Sequence, residues 1–255
     1  MVPSASGLSP APARRFFRFS YPTWIRDGDP LLPFRTRDGA AFSELTEPLR
    51  PLGWQYGSLI FNYPDDCDHP RADFTFLRPS DLVVLATRPP MNDKPDDKKR
   101  LTRSSTYLEQ LIFKAIRPYI RSCSRNQVTL NAVGLDCEKA DYSFRQYTDA
   151  RLLEYRSLAP GAKFQKVEGD KYVTIGFFLN LPAIEDFGCG LLASFSMGGI
   201  ETLIWNRIVR TRFSAWLSKP LFAVYELEIG TLPTQPITLD FVDAIGAMPL
   251  LEIDL

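Results

Sequence analysis

The tetrad Leu82-Val83-Val84-Leu85 is apolar at every position. A strand built from it has no face to turn to water and must be covered on both sides. Further strands are expected at Lys171–Leu181, Gly190–Ser196 and Leu221–Ile229. Between the last two, Ile200, Leu203, Ile204, Val209, Phe213 and Trp216 recur at helical spacing within Gly199–Leu217. Strand–helix–strand spacing of this kind favours a sheet covered by helices. The expected fold class is α/β or α+β, with a mixed central sheet, flanking helices and an irregular, proline-rich N-terminal layer.

Elsewhere the pattern is less regular. Strands are predicted at Trp54–Tyr63, Ala72–Leu77, Asp81–Thr87 and Val128–Leu135. A helix is predicted from Ser104 or Ser105, with Leu108, Leu111, Ile112, Ala115, Ile116, Tyr119 and Ile120 on one face and Pro118 bending its last turn. Met91–Arg103 mixes charges of both signs and reads as a solvated loop. Leu152, Leu153 and Tyr155 suggest a short helix within Ala140–Leu158, and Ile237–Ile245 suggests another before an edge strand at Leu250–Leu255. The domain expectation is a flexible tail over 1–13 and a single α/β domain over 14–255. Within that domain, 14–64 is an appended layer and 65–255 the sheet-and-helix core.

Composition narrows function mainly by exclusion. The 255 residues hold 30 Lys+Arg against 30 Asp+Glu, which gives no basic excess for coating nucleic acid. A single His rules out sites built on two or three imidazoles. The four cysteines, Cys67, Cys123, Cys137 and Cys189, are dispersed and read as reduced thiols in a cytoplasmic protein. Arg14, Arg15 and Arg18 among Phe16, Phe17 and Phe19 have the composition of a transit peptide. Pro3, Pro10, Pro12 and Pro22 interrupt any amphipathic helix there, so a frayed terminus is expected. No stretch is apolar for the length of a spanning helix, and no membrane association is expected.

Four local patterns carry chemistry. Phe195-Ser196-Met197-Gly198-Gly199 resembles the G-x-S-x-G nucleophile elbow of α/β-hydrolases, with Ser194 where the elbow has its first glycine. The resemblance implies a nucleophilic Ser196. That family draws its base from a His after the serine, whereas His69 precedes it, so His69 serves only if the two are close in space. The reading taken is that Ser196 lies in a strand-to-helix turn shaped by Gly198 and Gly199 and is not activated. Asp186-Phe187-Gly188-Cys189-Gly190 resembles the first glycine loop of adenosylmethionine-dependent methyltransferases, but an apolar strand follows where that family has a helix. A tight turn is expected instead. Asp65, Asp66, Cys67, Asp68, His69 and Asp73 have divalent-ion ligand types without the spacing of a known metal loop. Glu226 and Glu228 share one face of a strand.

Open sheets place ligands at the carboxyl ends of their strands. That rule would gather Asp136, Asn180, Ser194, Ser196 and Arg88 into one crevice, with Asp136, Asn180 and Ser194 as ligand-binding candidates and Ser196 with His69 as the catalytic ones. No cofactor and no metal are expected. The leading expectation is a binding or accessory protein that acts through protein contacts, with a small-molecule ligand as a further possibility. The alternative is a hydrolase- or transferase-type enzyme, rather than an oxidoreductase, with its site around Ser196.

Overall fold

The structure is a computed structural model, and it describes residues 13–19, 36–57, 77–89, 91, 107–124, 126–131, 142–146, 153–157, 165–167, 172–184, 188–229 and 244–255. Among the described residues, twelve strands fall into two sheets. The larger has seven strands: β1 (Arg14–Phe19), β2 (Trp54–Tyr56), β3 (Leu82–Leu85), β9 (Tyr172–Leu181), β10 (Gly190–Ser196), β11 (Leu221–Ile229) and β12 (Ala244–Asp254). Their spatial order is β12-β11-β9-β10-β3-β1-β2. The strands β2, β1, β3 and β10 run parallel, and β9, β11 and β12 extend the sheet with antiparallel pairing, β11 reaching β9 across β10 and the helix that follows it in the chain. The smaller sheet is wholly antiparallel, in the order β4 (Ile120–Cys123), β5 (Gln127–Leu130), β6 (Tyr142–Gln146), β7 (Leu153–Ser157) and β8 (Gln165–Val167).

Three α-helices, α1 (Thr36–Thr46), α2 (Tyr107–Ile116) and α3 (Gly199–Arg212), and two short 3-10 turns, Glu47–Leu49 and Ser214–Ser218, complete the described elements. Alternation along β9 shows how they are used. Val173, Ile175, Phe177 and Leu179 belong to one apolar layer with Ile112, Phe113 and Ile116 of α2 and Val128, Leu130 and Phe144 of the small sheet. Tyr172 and Phe178 face the other way, into a layer with Phe42 and Leu45 of α1 and Ile204, Trp205 and Ile208 of α3. The period of two thus splits one strand between two cores. All four residues of β3 are buried, as their composition required.

Three expectations are corrected here. Within Ala140–Leu158 the described residues form the β6–β7 hairpin, with Tyr142 paired to Ser157 and Gln146 to Leu153. Leu153 and Tyr155 have the strand period of two, and pairing within a sheet decides the matter. Ala244 and Ile245 belong to strand β12 rather than to a helix; the rest of Ile237–Ile245 lies outside the described residues. The helix ending near Ile120 stops at Ile116, because Pro118 cannot continue it, and Ile120 opens β4.

Of the stretch 14–64, residues 14–19 and 36–57 are described. Strand β1 lies inside the large sheet, with Phe16 paired to both Tyr56 and Leu82. Its apolar residues Phe16, Phe17 and Phe19 are buried. Among its arginines, Arg15 pairs with buried Asp81, Arg14 lies over the Trp54 ring and Arg18 over the Phe42 ring.

Candidate functional site

Strand β10 ends at Ser196, and α3 begins at Gly199 after the two-residue turn Met197-Gly198. Ser196 therefore sits where a strand hands over to a helix at the carboxyl end of the parallel set. Its surroundings are closed. Ser196 is fully buried, and its hydroxyl donates to the Ile175 carbonyl at 2.6 Å. Its backbone N–H donates to Thr202 Oγ1 at 2.9 Å, and that hydroxyl in turn donates to the Gly198 carbonyl at 2.7 Å. The Ser196 proton is thus committed to a backbone carbonyl, and among the described residues the side chain hydrogen-bonded to this hydroxyl is Thr174, which is no general base.

Gly198 acts through space rather than through backbone angle. Gly198 is extended, with φ −140° and ψ 175°, and the positive-φ glycines among the described residues are Gly53 and Gly188. A β-carbon at 198 would run into the Glu201 carboxylate. Gly188, at φ 66°, lies in the connection between the adjacent antiparallel strands β9 and β10, which is closed by Gly188 N–H donating to Ile184 O at 2.8 Å.

Next to Ser196 runs a chain of buried polar groups. β10 pairs with β9 only as far as Ser196 opposite Gly176, so Tyr172 and Thr174 extend beyond it. The Gln146 carboxamide of the small sheet reaches both residues. Gln146 Nε2 donates to the Tyr172 phenol oxygen at 2.6 Å, and Thr174 Oγ1 donates to Gln146 Oε1 at 2.9 Å. The phenol donates to the Glu201 carboxylate in the first turn of α3. Thr174 Oγ1 also lies 3.2 Å from Ser196 Oγ. Burial, then the Glu201 charge, pushes the Tyr172 phenol well above its ordinary value, so it stays a proton donor.

The remaining candidates separate. Ser194, two residues earlier on the same face, donates to Asn206 Oδ1 of α3 at 2.6 Å, and Asn206 Nδ2 donates to the Ala41 carbonyl of α1 at 2.9 Å. That thread ties strand to helix to helix. Asn180 lies opposite Leu192, whereas Ser196 lies opposite Gly176. The two are thus about 13 Å apart along the strands, at about 3.3 Å per residue. The crevice expectation assumed that all the strands point one way, and β9 runs against β10. Asn180 Nδ2 instead donates to the carbonyls of Trp216 and Lys219, both at 3.0 Å, and pins the 3-10 turn Ser214–Ser218 to the sheet. Arg88 does reach the end of β10, where its guanidinium donates to the Met197 carbonyl at 2.6 Å. His69, Asp136 and the carboxylates of 65–73 lie outside the described residues.

Two further clusters have functional residue types. Glu226 and Glu228 stand on one face of β11, opposite Ile175 and Val173. Burial and the neighbouring Glu228 raise the Glu226 carboxyl above its ordinary value. No group of three or more His, Cys, Asp or Glu among the described residues is arranged to hold a metal ion. Phe213, Trp216, Tyr225 and Trp205 gather over the opposite face, with the Phe213 and Trp216 rings stacked at 4.2 Å. Rings that close fill the space between them, so the cluster is packing rather than a cage for a cation.

Tyr172, Thr174, Gln146, Glu201 and Asn206 were not singled out from the sequence. The available signal was Thr174 and Asn206, polar residues inside otherwise apolar faces. Comparison with known protein families, with characterised proteins and with solved structures finds no match to this chain.

Proposed function

We propose that this protein works by binding, as an accessory or regulatory partner in a protein assembly, and that the contact lies at the β2 edge of the large sheet. One observation carries the reading: Leu52 and Tyr56 are 51% and 54% exposed at that edge, although both are large and apolar in body. Tyr56 is also held in place. Its ring meets Phe16 and Phe42 edge-on, at centroid distances of 5.5 and 6.2 Å. Arg14 and Arg18 lie over Trp54 and Phe42 beside it. Tyrosine, tryptophan and arginine are the residues most enriched at binding hot spots, and a side chain already ordered loses little entropy on binding. The fitting partner is a protein surface with an apolar centre and acidic groups around it.

The test uses point substitutions at the surface, because deleting residues 1–30 would remove β1 from inside the sheet. Wild-type chain, Leu52→Glu and Tyr56→Ala are compared by pull-down and by reconstitution with the purified partner, with thermal unfolding as the fold control. The expected result is a partner that binds the wild type and is lost by at least tenfold in affinity in both variants. A wild-type chain that stays partnerless and turns over a defined substrate would sink the proposal.

A further inference from the structure

We infer that Glu201, Tyr172 and Gln146 form a latch that ties the first turn of α3 to the small sheet, with the half-buried Glu201 carboxylate as its release point. The order of donation along the chain follows from Glu201 alone. An ionised carboxylate only accepts hydrogen bonds, so the Tyr172 phenol must donate to it. The phenol oxygen is then an acceptor, which turns Gln146 Nε2 towards Tyr172 and Oε1 towards Thr174. Thr174 must spend its one proton on Gln146 and has none for Ser196. Ser196 gives its own proton to Ile175 O, at the shorter distance of 2.6 Å against 3.2 Å. One choice at the end of α3 thus fixes three buried groups on two elements.

Loss of the Glu201 acceptor removes that constraint. The phenol proton can then turn to Gln146, the carboxamide rotates so that Nε2 faces Thr174, and the Thr174 proton becomes available to Ser196. Tyr172, Gln146, Thr174 and Ser196 are all buried, so each unpaired group left by a half-made change is costly, and the chain favours complete arrangements over mixtures. Gly198 belongs to the same device. It leaves room for the carboxylate that any β-carbon at 198 would displace. A partner or ligand that draws Glu201 outward would therefore be felt at Gln146, on the other sheet.

The test is side-chain and backbone hydrogen exchange by nuclear magnetic resonance on the full chain. Three variants are compared with the wild type: Glu201→Gln, which keeps an acceptor, Glu201→Ala, which removes it, and Gly198→Ala, which displaces it. In the wild type and in Glu201→Gln, the Gln146 carboxamide protons should exchange slowly relative to those of exposed Gln55. In Glu201→Ala and Gly198→Ala, the Gln146 signals should shift and the carboxamide and the β6 amides should exchange about tenfold faster, while Phe178 in the core is unchanged. Unchanged Gln146 signals in Glu201→Ala would overturn the inference. So would uniform acceleration through every strand, which would mean plain loss of stability.

Discussion

The indole of Trp205 lies against Gly176, occupying the space where any other residue at that position would place its β-carbon. Its Nε1–H donates to the Phe177 carbonyl at 2.9 Å, so the ring is fixed to the sheet and cannot move aside. Trp205 is fully buried beneath α3, at the middle of the helix-side core.

Gly176→Ala should therefore unfold the chain at lower temperature. Overpacking of a filled core costs about 1–3 kcal/mol, and a backbone-anchored indole puts this site at the upper end. Thermal or urea denaturation measures it. A variant as stable as the wild type would show that the ring has somewhere to go.

Ser196→Ala should lower stability by about 1 kcal/mol, the usual net value of one buried neutral hydrogen bond. A fluorophosphonate should label neither protein. Stoichiometric labelling of the wild type that the variant fails to take up would make Ser196 a nucleophile after all.

Asp81→Ala should be the most damaging single charge removal among the described ion pairs. The Asp81 carboxylate is fully buried, accepts from Arg15 Nε at 3.0 Å and Nη2 at 2.5 Å, and accepts from the Arg78 N–H at 2.7 Å. Removing one partner of a buried pair costs about 3–5 kcal/mol. Arg15 is a quarter exposed, so the lower figure is expected. Removing Lys219 from its pair with Asp254, where both side chains are at least half exposed, should change stability far less.

Alkaline pH should weaken the fold through the buried thiols. Burial pushes the Cys123 thiol up to about 12, with the Arg88 charge pulling weakly the other way, and burial pushes Cys189 up to about 11. Below the ordinary thiol value of 9.0 both folded and unfolded chains keep these protons, and the stabilising contribution is complete. Above it the unfolded chain releases them first, so stability falls by about 1.4 kcal/mol per pH unit per thiol. The loss for Cys123 continues until pH nears about 12. Urea midpoints between pH 8 and about 10.5 should show this slope, and Cys123→Ala should make it shallower. Equal slopes in both proteins would remove Cys123 from the account.

The elements legible in the sequence were those whose residues alone determine their surroundings. Leu82–Leu85, the apolar runs of β9, β10 and β11, and the helical stripe of α3 allow few other arrangements. Strand β1 was hidden because Arg14, Arg15 and Arg18 made it look like a basic terminus. What makes it a strand is Asp81, Trp54 and Phe42, and no reading of 14–19 alone supplies those partners. The polar candidates were ambiguous for the same reason. Ser194 and Asn180 look available in the sequence, and only the fold brings Asn206 to the one and the Trp216 and Lys219 carbonyls to the other.

The interior position of β1 bears on how the chain is made. Arg14–Phe19 is made before both of its neighbours, β2 and β3, and the Arg15–Asp81 pair alone closes a separation of 66 residues. The Arg88 contact that joins the ends of β3 and β10 closes 109 more. Sheets assembled from such distant pieces form slowly. During that interval Phe16, Phe17 and Phe19 have no native cover, and they form a short, sticky segment of the kind that seeds aggregation. Arg14 and Arg15 precede those phenylalanines and Arg18 interrupts them, the placement by which charges break up aggregation-prone runs. The same three side chains that steady the finished sheet by pairing and stacking also put charge into an otherwise apolar segment while its strand partners are still to come.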